Sequence, residues 1–96
     1  MPTKKEILKA KIRAFKTTLQ NATPKQKEGR LSIQLAKNFN GLIVEVGENF
    51  SDIKEDMPEE ITWTGHFARL DSSDVTYLDV EILADQILAL LDLLDD

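Results

Sequence analysis

The chain has 96 residues, of which 42% are hydrophobic and 30% are charged, a balance that excludes wholesale disorder and fits one globular domain over residues 1–96. It contains no cysteine, which excludes disulfides, thiolate catalysis and cysteine-ligated zinc and is usual in a reducing compartment such as the cytoplasm. The formal net charge is −5, but it is unevenly spread, because residues 1–30 hold nine of the twelve basic residues and two of the seventeen acids.

The first predicted helix covers residues 4–21. Thr3 and Glu6 have the spacing of a capping box at its start. Apolar residues then recur at spacings of four, three and four, and they form one narrow stripe: Leu8, Ile12, Phe15 and Leu19. The other positions are mostly basic or polar, so we expect this helix to bury one seam only.

The second predicted helix covers residues 24–49 and forms a hairpin with the first. Thr23 is placed to cap it, Pro24 suits the first helical position, and Gln26 completes a capping box. The apolar residues that keep helical spacing along it are Leu31, Leu35, Phe39, Leu42, Val46 and Phe50.

An alternative to this long helix rests on Asn40 and Gly41, which resemble the end of a helix. Residues 42–46 are also a good β segment, and residues 61–67 begin with an alternating pattern. If a helix ends near Gly41, these two segments are expected to pair as a small antiparallel ribbon in an α+β fold.

Residues 51–72 are predicted to be a long connection because acids, Pro58 and Gly65 interrupt any apolar period. The last helix is predicted over residues 74–94, with Ser73 as its cap. The leading prediction is therefore an all-α, three-helix bundle with a long connection before the third helix.

The last helix has an apolar arc of about 200° or more, roughly twice what a surface helix needs. It is expected either to be packed on both sides or to contact another chain. Asp79 and Gln86 fall inside the arc, so Asp79 is expected to find a polar partner or to reach solvent. A role of these two residues in setting the register of an interface is the alternative. The segment 82–94 is too short and too interrupted to cross a bilayer, so no membrane contact is expected. The candidate interface residues are Val80, Leu83, Ile87, Leu90, Leu91 and Leu94.

The opposite side of the last helix is mostly acidic and is typical of a solvated surface. An aromatic and an aliphatic side chain among acids can also anchor a basic partner, because the apolar contacts supply binding energy and the carboxylates steer association. The candidate partner-facing residues are Tyr77, Glu81, Asp85, Leu88 and Asp92.

The basic N-terminal hairpin can contact phosphates, and its candidate nucleic-acid contacts are Lys5, Lys9, Arg13, Lys16 and Lys27. The chain as a whole is acidic, however, and it has no recognition-helix signature or interleaved aromatic residues. The interpretation we favour is that the basic surface is solvated and neutralises the acidic last helix.

The segment around Trp63, His66, Phe67 and Arg69 is chemically varied, but it lacks a second histidine, a cysteine or an identifiable nucleophile. Trp63 and Phe67 are expected to close one end of the core, with His66 near the surface. The acids between residues 52 and 60 miss the spacing of a calcium-binding loop. We therefore predict no catalytic residue, no metal site and no cofactor.

These patterns favour a non-enzymatic, cytoplasmic protein-interaction or adaptor module that self-associates as a homodimer through its C-terminal helix. One alternative is a small antitoxin-like regulator that binds nucleic acid through the basic hairpin and a protein through the acidic helix. Another alternative is an acidic inhibitor of a basic partner.

Overall fold

The computed structural model describes residues 1–94, apart from the side chains of His66 and Phe67. This part of the chain is mostly helical, with 68% of the chain in helices, and it contains one small antiparallel ribbon. The elements are α1 (Lys4–Gln20), α2 (Pro24–Lys27), β1 (Arg30–Ser32), α3 (Ile33–Asn49), two 3-10 helices (Ser51–Asp56 and His66–Leu70), β2 (Ser72–Thr76) and α4 (Tyr77–Asp92). The all-α prediction is therefore wrong, and the α+β alternative describes the fold better.

The first predicted helix is confirmed as α1. Thr3 caps it, because the Thr3 hydroxyl oxygen accepts a hydrogen bond from the Glu6 amide at 3.1 Å. The predicted stripe faces the core: Leu8, Ile12 and Leu19 are buried, and the ring of Phe15 packs against that of Phe39 on α3 with centroids 5.2 Å apart. One narrow stripe thus explains how α1 packs.

The prediction of one helix over residues 24–49 is wrong, because two caps divide this segment. Thr23 and Gln26 form the predicted capping box, but α2 ends after one turn at Lys27. The chain then becomes extended as β1, and the Ser32 hydroxyl oxygen accepts from the Leu35 amide at 3.2 Å to start α3. The backbone of β1 pairs with β2 instead of continuing the helix.

The ribbon of the α+β alternative exists, but it lies elsewhere in the chain. β1 and β2 are antiparallel, with Arg30 opposite Thr76 and Ser32 opposite Ser72 and an irregularity between these pairs. Residues 42–46 lie inside α3, and residues 61–64 have no regular structure. The predicted pairing of these two segments is wrong because α3 continues through Gly41 as far as Asn49 and uses residues 42–46 as helix.

The last helix begins at Tyr77, three residues later than predicted. Thr76 is its cap: the Thr76 hydroxyl oxygen accepts from the Asp79 amide at 3.2 Å, and the Asp79 carboxylate accepts from the Thr76 amide at 3.0 Å. Ser73, the predicted cap, is buried on β2. Asp79, although it falls inside the apolar arc of the sequence, is exposed, and its carboxylate takes part in this capping box.

The core lies where α1 packs against both α3 and α4. Lys9 pairs with Asp92 and Lys16 with Asp85, so α1 runs antiparallel to α4. Fourteen hydrophobic residues form the core cluster, which the 3-10 helix Ser51–Asp56 extends through Ile53. Across residues 1–94, no helix combines the length and the apolar character needed to span a membrane.

Candidate protein-interaction surfaces

One side of α4 is fully covered by the rest of the chain. The residues on this side with no exposed surface are Val80, Ala84, Ile87 and Leu91. Three of the predicted interface residues, Val80, Ile87 and Leu91, are thus covered by the chain itself, because α4 needs them to complete the monomer core. Leu83, Leu90 and Leu94 are partly buried and pack against the edge of that core. Val80, Ile87 and Leu91 therefore offer no surface to a partner in the folded monomer, whereas Leu83, Leu90 and Leu94 keep part of theirs.

The opposite side of α4 carries uncovered apolar side chains. Leu78 is 63% exposed, Ile82 is 49% exposed, and Leu93, the C-cap residue, is 77% exposed. Gln86 and Ala89 are also exposed, and the spacings of four, four, three and four place all five residues along one side of the helix. We call these five residues the outer row of α4.

The sequence pattern did not single out the outer row as the exposed part of the apolar arc. The signal was the width of the apolar arc, which included Leu78 and Ile82. The periodicity shows that such an arc exceeds one buried face, but it does not show which face the monomer covers. The candidates were taken from the most continuously apolar part, and the core uses half of them.

One edge of the outer row is acidic, and α1 neutralises it. The Lys16 ammonium donates to the Asp85 carboxylate at 2.5 Å, and Lys9 donates to Asp92. The hydrogen bond from Lys9 lowers the pKa of the Asp92 carboxyl below its usual value. Two predicted partner-facing acids thus pair with two predicted nucleic-acid contacts, as expected if the basic helix neutralises the acidic one.

Lysines along the other edge of α1 pair in the same way with an acid of α3. Lys11 donates to the Glu45 carboxylate at 2.9 Å and Lys4 donates to it at 3.3 Å. These bonds, first that from Lys11, lower the pKa of the Glu45 carboxyl. Lys5 donates to the Leu94 carbonyl at 2.9 Å. The basic residues of α1 therefore flank its buried stripe and bind both neighbouring helices.

The remaining predicted contact residues do not form one compact surface. Tyr77, Glu81 and Leu88 on α4 are half-buried. Arg13 on α1 and Lys27 on α2 are exposed. Their exposure leaves Arg13 and Lys27 as the two members of the predicted nucleic-acid set with the most accessible side chains.

A second surface is an open groove beside α3, with a cavity volume of about 460 Å³. Its floor is apolar and its rim is charged. The residues that line it are Ile43, Val44, Gly47, Glu48, Lys54, Met57, Pro58, Glu59 and Glu60. The aliphatic stem of Lys54 lies over Gly47 of α3 at ordinary contact distance. We call this feature the α3 groove.

A buried amide fixes the segment that follows the α3 groove. Asn40 is 8% exposed, and its Nδ2 donates to the Ile61 carbonyl at 2.9 Å while its Oδ1 accepts from the Ile61 amide at 2.7 Å. The side chain thus pairs with the Ile61 backbone as a neighbouring strand would. Asn40 resembled a helix end in the sequence, but its role is to hold this distant segment.

A carboxylate on β2 fixes the next residues of that segment. Asp74 accepts from the Thr62 hydroxyl at 2.5 Å, from the Thr64 amide at 3.1 Å and from the Gly65 amide at 3.0 Å. The Thr62 hydrogen bond is the main cause that lowers the pKa of the Asp74 carboxyl. A Cβ at Gly65 would lie 2.7 Å from Asp74 Oδ1, so the close approach requires glycine there.

The chemically varied segment of the sequence shows no assembled reaction centre in the described residues. Trp63 is half-buried against the core, as predicted, and Lys37 lies over its ring at 5.9 Å from the centroid. The predictions for the side chains of His66 and Phe67 lie outside the described residues. Among the described residues, no group of three or more histidine, cysteine or acidic side chains is placed to hold a metal ion.

Comparisons with known proteins found no match to a protein-family model, to a curated protein or to a solved structure. The fold and its surfaces define a small, mostly helical domain with two uncovered apolar features. These features are the outer row of α4 and the floor of the α3 groove. They are where the geometry offers contact to another molecule.

Proposed function

We propose that this chain is a non-enzymatic, cytoplasmic protein-interaction module that forms a homodimer through the outer row of α4. The observation that carries the proposal is the exposure of Leu78, Ile82 and Leu93 along one side of a helix whose other side is already buried. Single exposed aliphatic side chains are ordinary, but an aligned set marks a contact surface. Complete burial of a fully exposed aliphatic side chain contributes about 1.5–3 kcal/mol before the cost of association, and these three residues, which are 49–77% exposed, contribute proportionately less.

The order of residues in the outer row supports a second copy as the partner. The row is nearly symmetric about Gln86, so an antiparallel pairing of two α4 helices brings Leu78 of one copy toward Leu93 of the other. In the same arrangement, Ile82 of each copy faces Ala89 of the other. A large side chain against a small one allows close packing of two helices.

Gln86 supports a unique register for this pairing. It lies near the centre of the outer row, where the two-fold axis of an antiparallel dimer passes. The two Gln86 amides can hydrogen-bond to each other in one register, whereas a shifted register leaves them against apolar groups. A central polar residue therefore favours one alignment at some loss of affinity.

The charges beside the outer row are compatible with self-association. Asp85 and Asp92 lie on one edge, and each pairs with a lysine of α1 in the same chain. Two copies therefore approach with these carboxylates neutralised, which reduces the like-charge repulsion expected of two acidic helices. The Lys16 and Lys9 pairs thus serve the monomer and permit contact between monomers.

The nucleic-acid and acidic-inhibitor alternatives have less support. Lys9 and Lys16 bind α4, so using them for phosphate contacts requires breaking two ion pairs. The same pairs also reduce the free negative charge that an inhibitor of a basic protein would use. Binding to duplex DNA or RNA that weakens steeply with added salt would instead favour the regulator.

The test is the molar mass of wild type and of Ile82→Asp by sedimentation equilibrium over a wide concentration range. We expect wild type to form a dimer that dissociates on dilution and Ile82→Asp to stay monomeric with an unchanged helical circular dichroism spectrum. Val44→Asp is the matched control, because Val44 is 42% exposed but lies on α3, and it should still dimerise. A wild-type monomer at every accessible concentration would refute the proposal.

A further inference from the structure

We infer that the α3 groove binds a basic segment of a partner protein that inserts an apolar side chain. No residue of α4 lines this groove, so the inference does not depend on the proposed homodimer. Together, the two surfaces would allow one domain to self-associate and to hold a second protein.

The floor of the α3 groove supplies the apolar part of the site. Val44 is exposed at 42%, and Ile43, Met57 and Pro58 extend the apolar surface beside it. Met57 has a flexible and polarisable side chain, which adapts to aliphatic and aromatic groups alike. A cavity of about 460 Å³ lies within the size range of ligand pockets, and it suits one or two inserted side chains.

The rim supplies a negative charge that the monomer does not neutralise. Glu48, Glu59 and Glu60 line the groove and are exposed, and within residues 1–94 none of them forms an ion pair. Lys54 is the basic residue of the lining, so the charges of the described lining favour a cation. In contrast, Glu45 on the same helix is paired with two lysines of α1.

This charge distribution selects among possible partners. The glutamates disfavour a nucleic acid, because they would face its phosphates. An arginine- or lysine-bearing peptide is attracted by the same glutamates, and its aliphatic or aromatic residue can cover the floor. The open shape lets a main chain pass along the groove with one side chain directed inward.

The wall of the groove is already fixed, which reduces the entropy lost on binding. Ile53 belongs to the 3-10 helix Ser51–Asp56, and its side chain is only 5% exposed. Asn40 hydrogen-bonds to the backbone of Ile61, which immediately follows the rim residue Glu60. Pro58 further restricts the backbone of the rim. A binding site held between two buried anchors does not have to be ordered by its partner.

The test titrates a short synthetic peptide, with two adjacent leucines flanked by arginines, into isotopically labelled full-length protein followed by NMR. We expect amide shifts concentrated at residues 43–48 and 54–60, with affinity that decreases as salt is added. A control peptide with serines in place of the leucines has the same charge and should bind at least about tenfold more weakly.

Two double variants separate the groove from general acidity. Glu59→Gln with Glu60→Gln should weaken binding of the leucine peptide by about tenfold. Glu6→Gln with Glu28→Gln removes the same charge from exposed positions outside the lining and should change its affinity by less than about twofold. Val44→Ser should weaken binding of the leucine peptide and leave binding of the serine peptide unchanged. Equal binding of both peptides, equal effects of both double variants, shifts outside the groove or absence of binding would each overturn the inference.

Discussion

The two amphipathic helices at the ends of the chain, α1 and α4, differ in how much of their apolar surface the monomer covers. On α1, the stripe of Leu8, Ile12 and Leu19 is buried, and the flanking lysines pair with acids on both neighbours. On α4, one side is equally buried, but Leu78 and Ile82 remain exposed on the other. A narrow stripe is satisfied by the monomer, whereas a wide arc leaves apolar surface over.

This difference shows why the uneven distribution of charge along the sequence does not indicate which surfaces of the molecule stay uncovered. The basic residues of α1 make up half of the twelve basic residues in the sequence, yet many of them pair with acids inside the fold. The exposed aliphatic residues of α4 are less conspicuous, because they belong to an arc that also builds the core. The uncovered surface is therefore apolar where the sequence first directs attention to charge.

The largest expected effect is the difference in unfolding free energy between Ile87→Ala and Ile82→Ala, which truncate side chains on opposite sides of α4. Ile87 has no exposed surface, so its truncation leaves a cavity and should lower the free energy of unfolding by about 2–5 kcal/mol. Ile82 is half exposed, and its truncation should cost less than about 1 kcal/mol in dilute solution. The gain in helix propensity is the same at both positions and cancels.

Urea unfolding at protein concentrations low enough to dissociate the proposed homodimer measures both free energies. Repeating the series at high protein concentration sharpens the comparison, because only Ile82→Ala should lose the stabilisation that comes from association. Equal losses for the two variants in dilute solution would break the distinction between a covered and an uncovered side.

The next largest effect concerns the two buried hydrogen bonds by which Asn40 of α3 holds Ile61. Asn40→Ala leaves the amide and carbonyl of Ile61 without their partner, so we expect a loss of about 1–3 kcal/mol and faster hydrogen exchange of the Ile61 amide. Asn38→Ala is the control on the same helix, because Asn38 is exposed and accepts a bond from Gln34. A small effect at Asn40 would show that Ile61 is held by apolar packing alone.

The sequence predicts α1 well and the middle of the chain poorly, for a physical reason. The cap and the stripe of α1 are local signals that agree with each other. Leu31, by contrast, fits the spacing of a long helix and also the buried position of a strand. The choice between them is made by pairing with residues 72–76, which lie some forty positions away, and no local pattern contains that contact.

The candidate surfaces were predictable only as a class. The arc of the last helix predicted more apolar surface than one face requires, but the packing of α1 decides which side is covered. The α3 groove was not predicted, because it joins Val44 to the rim residues Glu59 and Glu60 through the path of the connection. Val44 alone reads as ordinary surface.

A smaller effect is the pH dependence contributed by Asp74. Because hydrogen bonds lower the pKa of Asp74 in the folded state below the ordinary 3.8, its stabilisation is present above that value. It is lost as pH falls through the folded-state pKa. Asp74→Asn should therefore reduce stability at about pH 6 and lose this difference toward about pH 2.

The comparison is made by thermal unfolding of wild type, Asp74→Asn and Asp52→Asn across that pH range. Asp52 is exposed in the first turn of a 3-10 helix, and Asp52→Asn removes the same charge as Asp74→Asn. If Asp74→Asn and Asp52→Asn follow the same acid profile, the contacts of Asp74 with the segment 62–65 do not stabilise the fold.

The smallest expected effect concerns the edge of α1 that faces α3. Glu45→Gln removes the acceptor charge shared by Lys4 and Lys11, and partly exposed ion pairs of this kind contribute about 0.2–1 kcal/mol. The loss should shrink as sodium chloride is raised toward about 1 M, where exposed charges are strongly screened. Glu48→Gln, three residues further along α3, removes an exposed carboxylate that forms no ion pair within residues 1–94, and it should leave the unfolding free energy nearly unchanged. If the loss of unfolding free energy in Glu45→Gln persists in high salt, this edge of α1 depends on packing of the glutamate stem and not on its charge. The contrast between a charge-lined α1 and an apolar α4 is then weaker than the ion pairs indicate.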